Sequence, residues 1–159
     1  MKPLKILYIC THNRCRSILS EAITNHLGNG RIVAKSAGSQ PSGEVHPLST
    51  FYLEEQGIAT DALESQSWDE FEDFGADLVI TVCDSAAGES CPLWFGKSLK
   101  MHWGLTDPSK LTGSEEDKAD AFRSTIKEIA QRVQQLLKLD LENISPNQLQ
   151  NALKELGAQ

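Results

Sequence analysis

Eight consecutive residues near the start of the chain, Cys10-Thr11-His12-Asn13-Arg14-Cys15-Arg16-Ser17, carry the groups needed for nucleophilic attack on a bound anion. The run follows an apolar, β-rich segment and leads into a helical one. Successive backbone N–H groups in such a loop can converge as an anion nest, reinforced by the positive end of the helix. Arg16 adds a planar fork suited to two oxygens of a tetrahedral anion. The same field favours a thiolate at Cys10. An ordinary cysteine titrates near about 8.5, and helix N-termini with basic neighbours bring that to roughly 3.5–7.5. The Ser17 hydroxyl can stabilise the thiolate further, and Asn13 can fix the loop by side-chain hydrogen bonds. Cys-x5-Arg alone is a weak pattern. Cys-x5-Arg-Ser directly after a strand, with Asn13 and Cys15 inside it, is a specific one. The chemistry expected is thiolate attack by Cys10 on a tetrahedral oxyanion held by Arg16 and the Thr11, His12, Asn13, Arg14, Cys15 and Ser17 positions.

Bulk composition narrows the setting. The 159 residues suit one domain with a real core, and 40% hydrophobic with 23% charged residues is ordinary for a globular protein. No apolar run approaches the roughly 20 residues of a membrane span. The stretch Ile6 to Ile9 behind Lys2 and Lys5 is too short for a signal peptide, so a cytoplasmic setting is expected. The net charge of −7 argues against nonspecific nucleic-acid binding. It also means that an anion site must be built locally. The four cysteines are Cys10, Cys15, Cys83 and Cys91, with four and seven residues inside the two pairs. Neither spacing is that of a zinc knuckle, so no metal site is expected.

The elements that must position the loop read as alternating strands and helices. Leu4 to Ile9 is a candidate buried strand ending at Cys10. Ser17 is the expected cap of a helix from Ile18 to about Leu27, stopped by Gly28 and Gly30. Arg31 to Ala37 is a second strand, broken by Gly38. Pro47 to Gln56 reads as a helix, and Asp77 to Val82 as the clearest strand, ending at Cys83. Asp84 to Gly96 is small, polar and punctuated by Gly and Pro, hence a loop. Leu99 to Trp103 is a short fourth strand. Ser114 to Lys138 is a long amphipathic helix, with Phe122, Ile126, Ile129, Val133 and Leu136 on one face. Ser145-Pro146 is an N-cap with proline at the first helical position, ahead of a last helix from Gln148 to Leu156. Such alternation argues for a parallel sheet covered on both faces, with its site at the carboxyl ends of the strands. Cys10, Cys83 and Asp107 all follow expected strands, and one topology puts them on the same rim.

The loop resembles that of the low-molecular-weight protein tyrosine phosphatase superfamily, and further similarity runs from residue 4 to about 137. The resemblance implies a three-layer αβα sandwich around a four-stranded parallel sheet. It implies a domain over residues 1–139, with 140–159 as a helical extension packed on it, a packing helix or a dimer contact. Cys10 matches the family nucleophile, Arg16 the anion-binding arginine and Ser17 the thiolate-stabilising hydroxyl. Asp107, in His102-Trp103-Gly104-Leu105-Thr106-Asp107-Pro108, matches the Asp-Pro general acid that protonates a leaving oxygen.

Two branches share the first step. A phosphatase hydrolyses a cysteinyl phosphate, whereas an arsenate reductase needs further thiols because As(V) must accept two electrons. Val82-Cys83-Asp84 to Ser90-Cys91-Pro92, with Asp107-Pro108 beyond, resembles the reductase branch. The resemblance implies that Cys83 forms a disulfide with Cys10 and that Cys91 then takes it over for an external thiol reductant. Thioredoxin is the expected reductant, with glutathione and glutaredoxin as the other route. A disulfide needs Cα atoms within about 7 Å, so the Asp84 to Ser90 segment must bend. Phosphatases of the family usually carry a tyrosine after Asp-Pro, and here Ser109 follows. The alternative, an aryl phosphatase, needs only Cys10, Arg16 and Asp107. Cys15 has two readings, a protective disulfide with the nucleophile or packing. Some reductases of this branch bind potassium through residues matching Asn13, Glu21 and Ser36 plus a further carboxylate, and Trp68 stands where that carboxylate is expected. His12 and Arg14 are bulkier than the small residues usual in the loop, and solvent-facing roles in anion capture or reductant docking are expected. His46 and His102 read as structural or surface residues.

Overall fold

The computed structural model describes residues 3–82, 99–105, 108, 113–140 and 143–157. Cys83, Cys91 and Asp107 lie outside the described residues. Four strands, β1 (Leu4–Ile9), β2 (Ile32–Ala37), β3 (Leu78–Thr81) and β4 (Leu99–His102), form one sheet in the order β2-β1-β3-β4. Every pairing is parallel, with Ile9 opposite Ala37 on one side and Thr81 on the other. A central parallel strand is covered on both faces and must be apolar on both. This is why Ile6, Leu7, Tyr8 and Ile9 run without polar interruption, all at 1% exposure or less. Tyr8 fits because its hydroxyl meets Thr24 Oγ1 at 2.8 Å. Burial pushes its phenol up to about 12, against the smaller opposing effect of that hydrogen bond.

Helix α1 (Arg16–Gly28) carries the chain from β1 to β2, and the return from β2 to β3 runs the opposite way across β1. The two connections therefore cross the sheet in opposite directions, and helix packing covers the central strand. The return includes α2 (Pro47–Glu55) and a single 3-10 turn, Trp68–Phe71, which the sequence reading overlooked. Its signal was present as a reciprocal cap between Ser67 and Glu70. Helix α3 (Glu115–Leu137) packs on α1, burying Phe122, Ile126, Ile129, Val133 and Leu136, the face its periodicity indicated. Arg31, just outside β2, donates from Nη1 to the Leu137 carbonyl at 3.0 Å and so holds the end of α3. Helix α4 (Pro146–Gly157) lies against β4 and α3, with Leu149 and Leu153 in the core. Ser145 and Gln148 cap it reciprocally at 3.1 and 3.2 Å, and Pro146 is its first residue, as the Ser145-Pro146 pair indicates. No helix among the described residues is long and apolar enough to cross a membrane.

Candidate active site

The loop between β1 and α1 sits at the carboxyl rim of the sheet. The Cys10 N–H donates to Ala37 O at 3.2 Å, and Val82 N–H donates to Ile9 O at 2.9 Å, so β2 and β3 both grip the strand where the loop leaves it. The loop's carbonyls are taken up by surrounding chain. Thr11 O accepts from Gln40 N–H at 2.9 Å, His12 O from Ser42 N–H at 3.0 Å, and Arg14 O from His46 N–H at 2.9 Å. Ser65 and Ser49 add hydroxyl bonds to His12 O and Arg14 O at 3.2 and 3.3 Å. Cys15 O accepts from Leu19 N–H at 2.8 Å as the helix begins. In a trans peptide the N–H points away from the C=O. Outward carbonyls on residues 11, 12, 14 and 15 therefore turn the N–H groups of His12, Asn13, Cys15 and Arg16 the other way, into the loop. That is the geometry of an anion cradle.

Asn13 is the hub. It is fully buried and holds φ at 46°, a left-handed conformation that asparagine tolerates better than most residues. Its Oδ1 accepts from Gln66 N–H at 2.7 Å, which fixes the orientation of the amide. Its Nδ2 then donates to Ser17 Oγ at 2.8 Å and Ser36 Oγ at 3.0 Å. Ser36 donates onward to Glu21 Oε1 at 2.6 Å. Glu21 is itself buried, and desolvation pushes its carboxyl up to about 6 against the Ser36 hydrogen bond and Lys35.

This chain bears on potassium. A hard cation needs converging oxygens. Asn13 presents its NH2, not its oxygen, to Ser17 and Ser36, and Ser36 directs its proton to Glu21. The residues present form a hydrogen-bonded chain, not an oxygen cage, and do not fit a cation.

The expected cap of α1 is corrected by the structure. The helix starts at Arg16, Cys15 is the boundary residue, and no side chain caps it. Ser17 lies inside the first turn, buried, with its hydroxyl engaged by Asn13. Cys10 and Cys15 are both buried thiols and no disulfide joins them. Arg16 Nη1 donates to Leu105 O at 3.2 Å, which ties the guanidinium to the segment leaving β4. His12 and Arg14 are exposed, and the His12 ring lies 3.0 Å by Nδ1 from the Gln40 carbonyl. His46 is structural, capping α2 by accepting from Leu48 N–H at 3.1 Å. His102 pairs with Thr81 Oγ1 at 2.8 Å. Among the described residues no cluster of three or more His, Cys, Asp or Glu could hold a metal ion.

The sequence reading missed the residues that grip the loop from a distance. In the sequence Gly38 marks only the end of a strand. A Cβ there would stand 2.7 Å from Cys10 O and closer still to Thr11 O, so the loop can lie against this wall only if residue 38 lacks a side chain. Gln66 and Leu105 act through backbone groups, which leave no mark on side-chain pattern. Gly38 had one available signal, a glycine directly after the strand that neighbours the one leading into Cys10.

This parallel sheet, with a cysteine-headed cradle at its carboxyl rim, agrees with the comparisons. The chain belongs to the low molecular weight phosphotyrosine protein phosphatase family, whose model matches residues 5–152. It is similar to an arsenate reductase of Bacillus licheniformis, 36% identical over 134 residues, 84% of this chain and 94% of the relative. A glutaredoxin arsenate reductase of Synechocystis sp. is 30% identical, over 84% of this chain and 95% of the relative. Among solved structures, an arsenate reductase in the phosphate binding state superposes with a TM-score of 0.70 at 29% identity, covering 87% of this chain and 98% of the other. The thioredoxin-dependent arsenate reductase of Corynebacterium glutamicum gives 0.66 at 26% identity, covering 86% of this chain and 61% of the other.

Proposed function

We propose that the protein reduces arsenate to arsenite. The observation that carries the proposal is the Cys10–Ser17 loop, with its carbonyls bound outward, its amides turned inward and Arg16 at its mouth. In this reading the loop and Arg16 hold the oxyanion, and the Cys10 thiolate attacks arsenic. Ser17 Oγ accepts a hydrogen bond from Asn13 Nδ2, and in this reading its own proton is donated to the thiolate. A hydroxide leaves as water, with Asp107 supplying the proton, and a Cys10 S–As bond forms. The Cys83 thiolate then attacks Cys10 sulfur. The S–As electron pair passes to arsenic, which leaves as arsenite, and a Cys10–Cys83 disulfide remains. Cys91 attacks Cys83, frees Cys10 and presents a Cys83–Cys91 disulfide to an external dithiol.

Three points favour arsenate over aryl phosphate. The chain carries the two extra cysteines that reduction requires, and its relatives are named arsenate reductases. Neither of its two tyrosines is available to hold an aromatic ring at the loop mouth. Tyr8 is inside the sheet, and Tyr52 stacks on Phe122 at 5.2 Å. The same loop captures phosphate, so weak phosphatase activity is compatible with this assignment.

Thioredoxin is the proposed reductant, because a Cys83–Cys91 disulfide suits attack by a dithiol. The test is arsenite production with thioredoxin and with glutathione plus glutaredoxin, supplied separately. Turnover with thioredoxin, lost in Cys10→Ser, Cys83→Ser and Cys91→Ser, is expected. Activity that survives Cys91→Ser and requires glutathione would move the assignment to the glutaredoxin route.

A further inference from the structure

Trp103 lies just past β4 and is buried at 3% exposure. Its indole Nε1 donates to the Leu153 carbonyl of α4 at 3.0 Å. From α3, Arg132 holds its guanidinium 5.9 Å from the ring centroid and is anchored by an ion pair to Glu128 at 2.9 Å. Two helices therefore hold one indole. The backbone around it stays bonded to the β3 segment beyond the end of β4. Trp103 N–H donates to Thr81 O at 2.8 Å, and Leu105 N–H donates to Val82 O at 3.1 Å. In extended chain, residues two apart share a face. Trp103 and Leu105 are both buried while Gly104 between them is exposed, as that alternation requires. The Leu105 carbonyl, located by this anchorage, accepts Arg16 Nη1 at 3.2 Å.

The guanidinium is a rigid fork, so fixing one nitrogen sets the direction of the others. Arginine also carries large rotamer freedom, and holding it in place beforehand removes an ordering cost from anion binding. We propose that Trp103 and helix α4 position Arg16 for the oxyanion, acting through the Leu105 carbonyl. Trp103 is then a positioning residue, and the C-terminal helix serves the binding loop as well as covering β4. The inference rests on the reading of Arg16 as the anion-binding arginine, and on no later step of the reduction.

The test compares three full-length variants. Trp103→Phe keeps an aromatic ring and removes the N–H. Leu153→Ala loosens the helix that supplies the acceptor. Phe74→Leu, at the opposite rim beside Lys5 Nζ (5.7 Å from the ring), is a destabilised control. Binding of inorganic phosphate is measured by calorimetry, and arsenate KM and kcat by turnover. Trp103→Phe and Leu153→Ala are expected to weaken phosphate by about fivefold or more and to raise arsenate KM by a similar factor. The control should stay within about twofold of the parent, even at an equal loss of melting temperature. Unchanged phosphate affinity in both test variants would overturn the proposal. So would a loss in the control that tracks melting temperature, which would mark the effect as general loosening. A parent protein that binds no phosphate would overturn the anion-loop reading itself, and this inference with it.

Discussion

At the scale of single residues, Asn13 and Glu21 show how a buried polar chain shapes a reactive loop. Asn13 satisfies two hydroxyls and one backbone N–H from a left-handed backbone position. Replacement by alanine leaves those partners short of bonds in a buried site and strains the backbone. Asn13→Ala should lower stability by about 3 kcal/mol in denaturant unfolding and lower kcat/KM by more than a hundredfold. Asn13→Gly should recover part of the stability and none of the activity. For Glu21 the sign follows from its raised pKa. A carboxyl with an ordinary value of 4.5 and a folded value of about 6 binds its proton more tightly in the folded state. Its contribution is fully favourable below about 4.5 and is lost as pH rises through about 6, leaving a cost of about 2 kcal/mol at neutral pH. Glu21→Gln should flatten the stability profile across that window and raise stability at pH 7. An unchanged profile in the variant would mean that Glu21 is not the group responsible.

At the scale of elements, the strand, loop and helix that carry Cys10, Arg16 and Ser17 were legible because they follow one another directly in the sequence. The long helix α3 was legible because its apolar spacing is regular over about four turns, from Phe122 to Leu136. Local rules failed where a distant partner competed. Ser17 looked like a helix cap, yet the amide of Asn13 claims its hydroxyl and α1 begins two residues earlier than that cap would allow. The grip of Gly38, Gln66 and Leu105 on the loop depends on strand order, which alternation alone does not supply. The wall at Gly38 makes a sharp prediction. Gly38→Ala pushes a methyl into the Cys10 and Thr11 carbonyls, so the loop must move. Arsenate turnover should fall at least about tenfold, with a stability loss of about 1–3 kcal/mol. Retained turnover with ordinary stability would show that the loop need not lie against that wall.

At the scale of the whole molecule, a chain of net charge −7 handles an anion, so its cradle must overcome the global field with amides and aimed cations. The sheet order puts the carboxyl ends of β1 and β3 side by side, with Val82 bonded to the residue before Cys10. That holds Val82, which precedes Cys83 in the sequence, against the end of the strand that leads into Cys10. The central claim is that arsenic chemistry at Cys10 ends as a disulfide elsewhere in the chain. It is tested most directly by one turnover without external reductant. Fully reduced protein is mixed with arsenate, arsenite is counted and disulfides are mapped by mass spectrometry. About one arsenite per chain is expected with a Cys83–Cys91 disulfide, and a Cys10–Cys83 disulfide should accumulate in Cys91→Ser. Absence of arsenite and of any disulfide containing Cys83, with brisk aryl-phosphate hydrolysis that survives Cys83→Ser, would contradict the account.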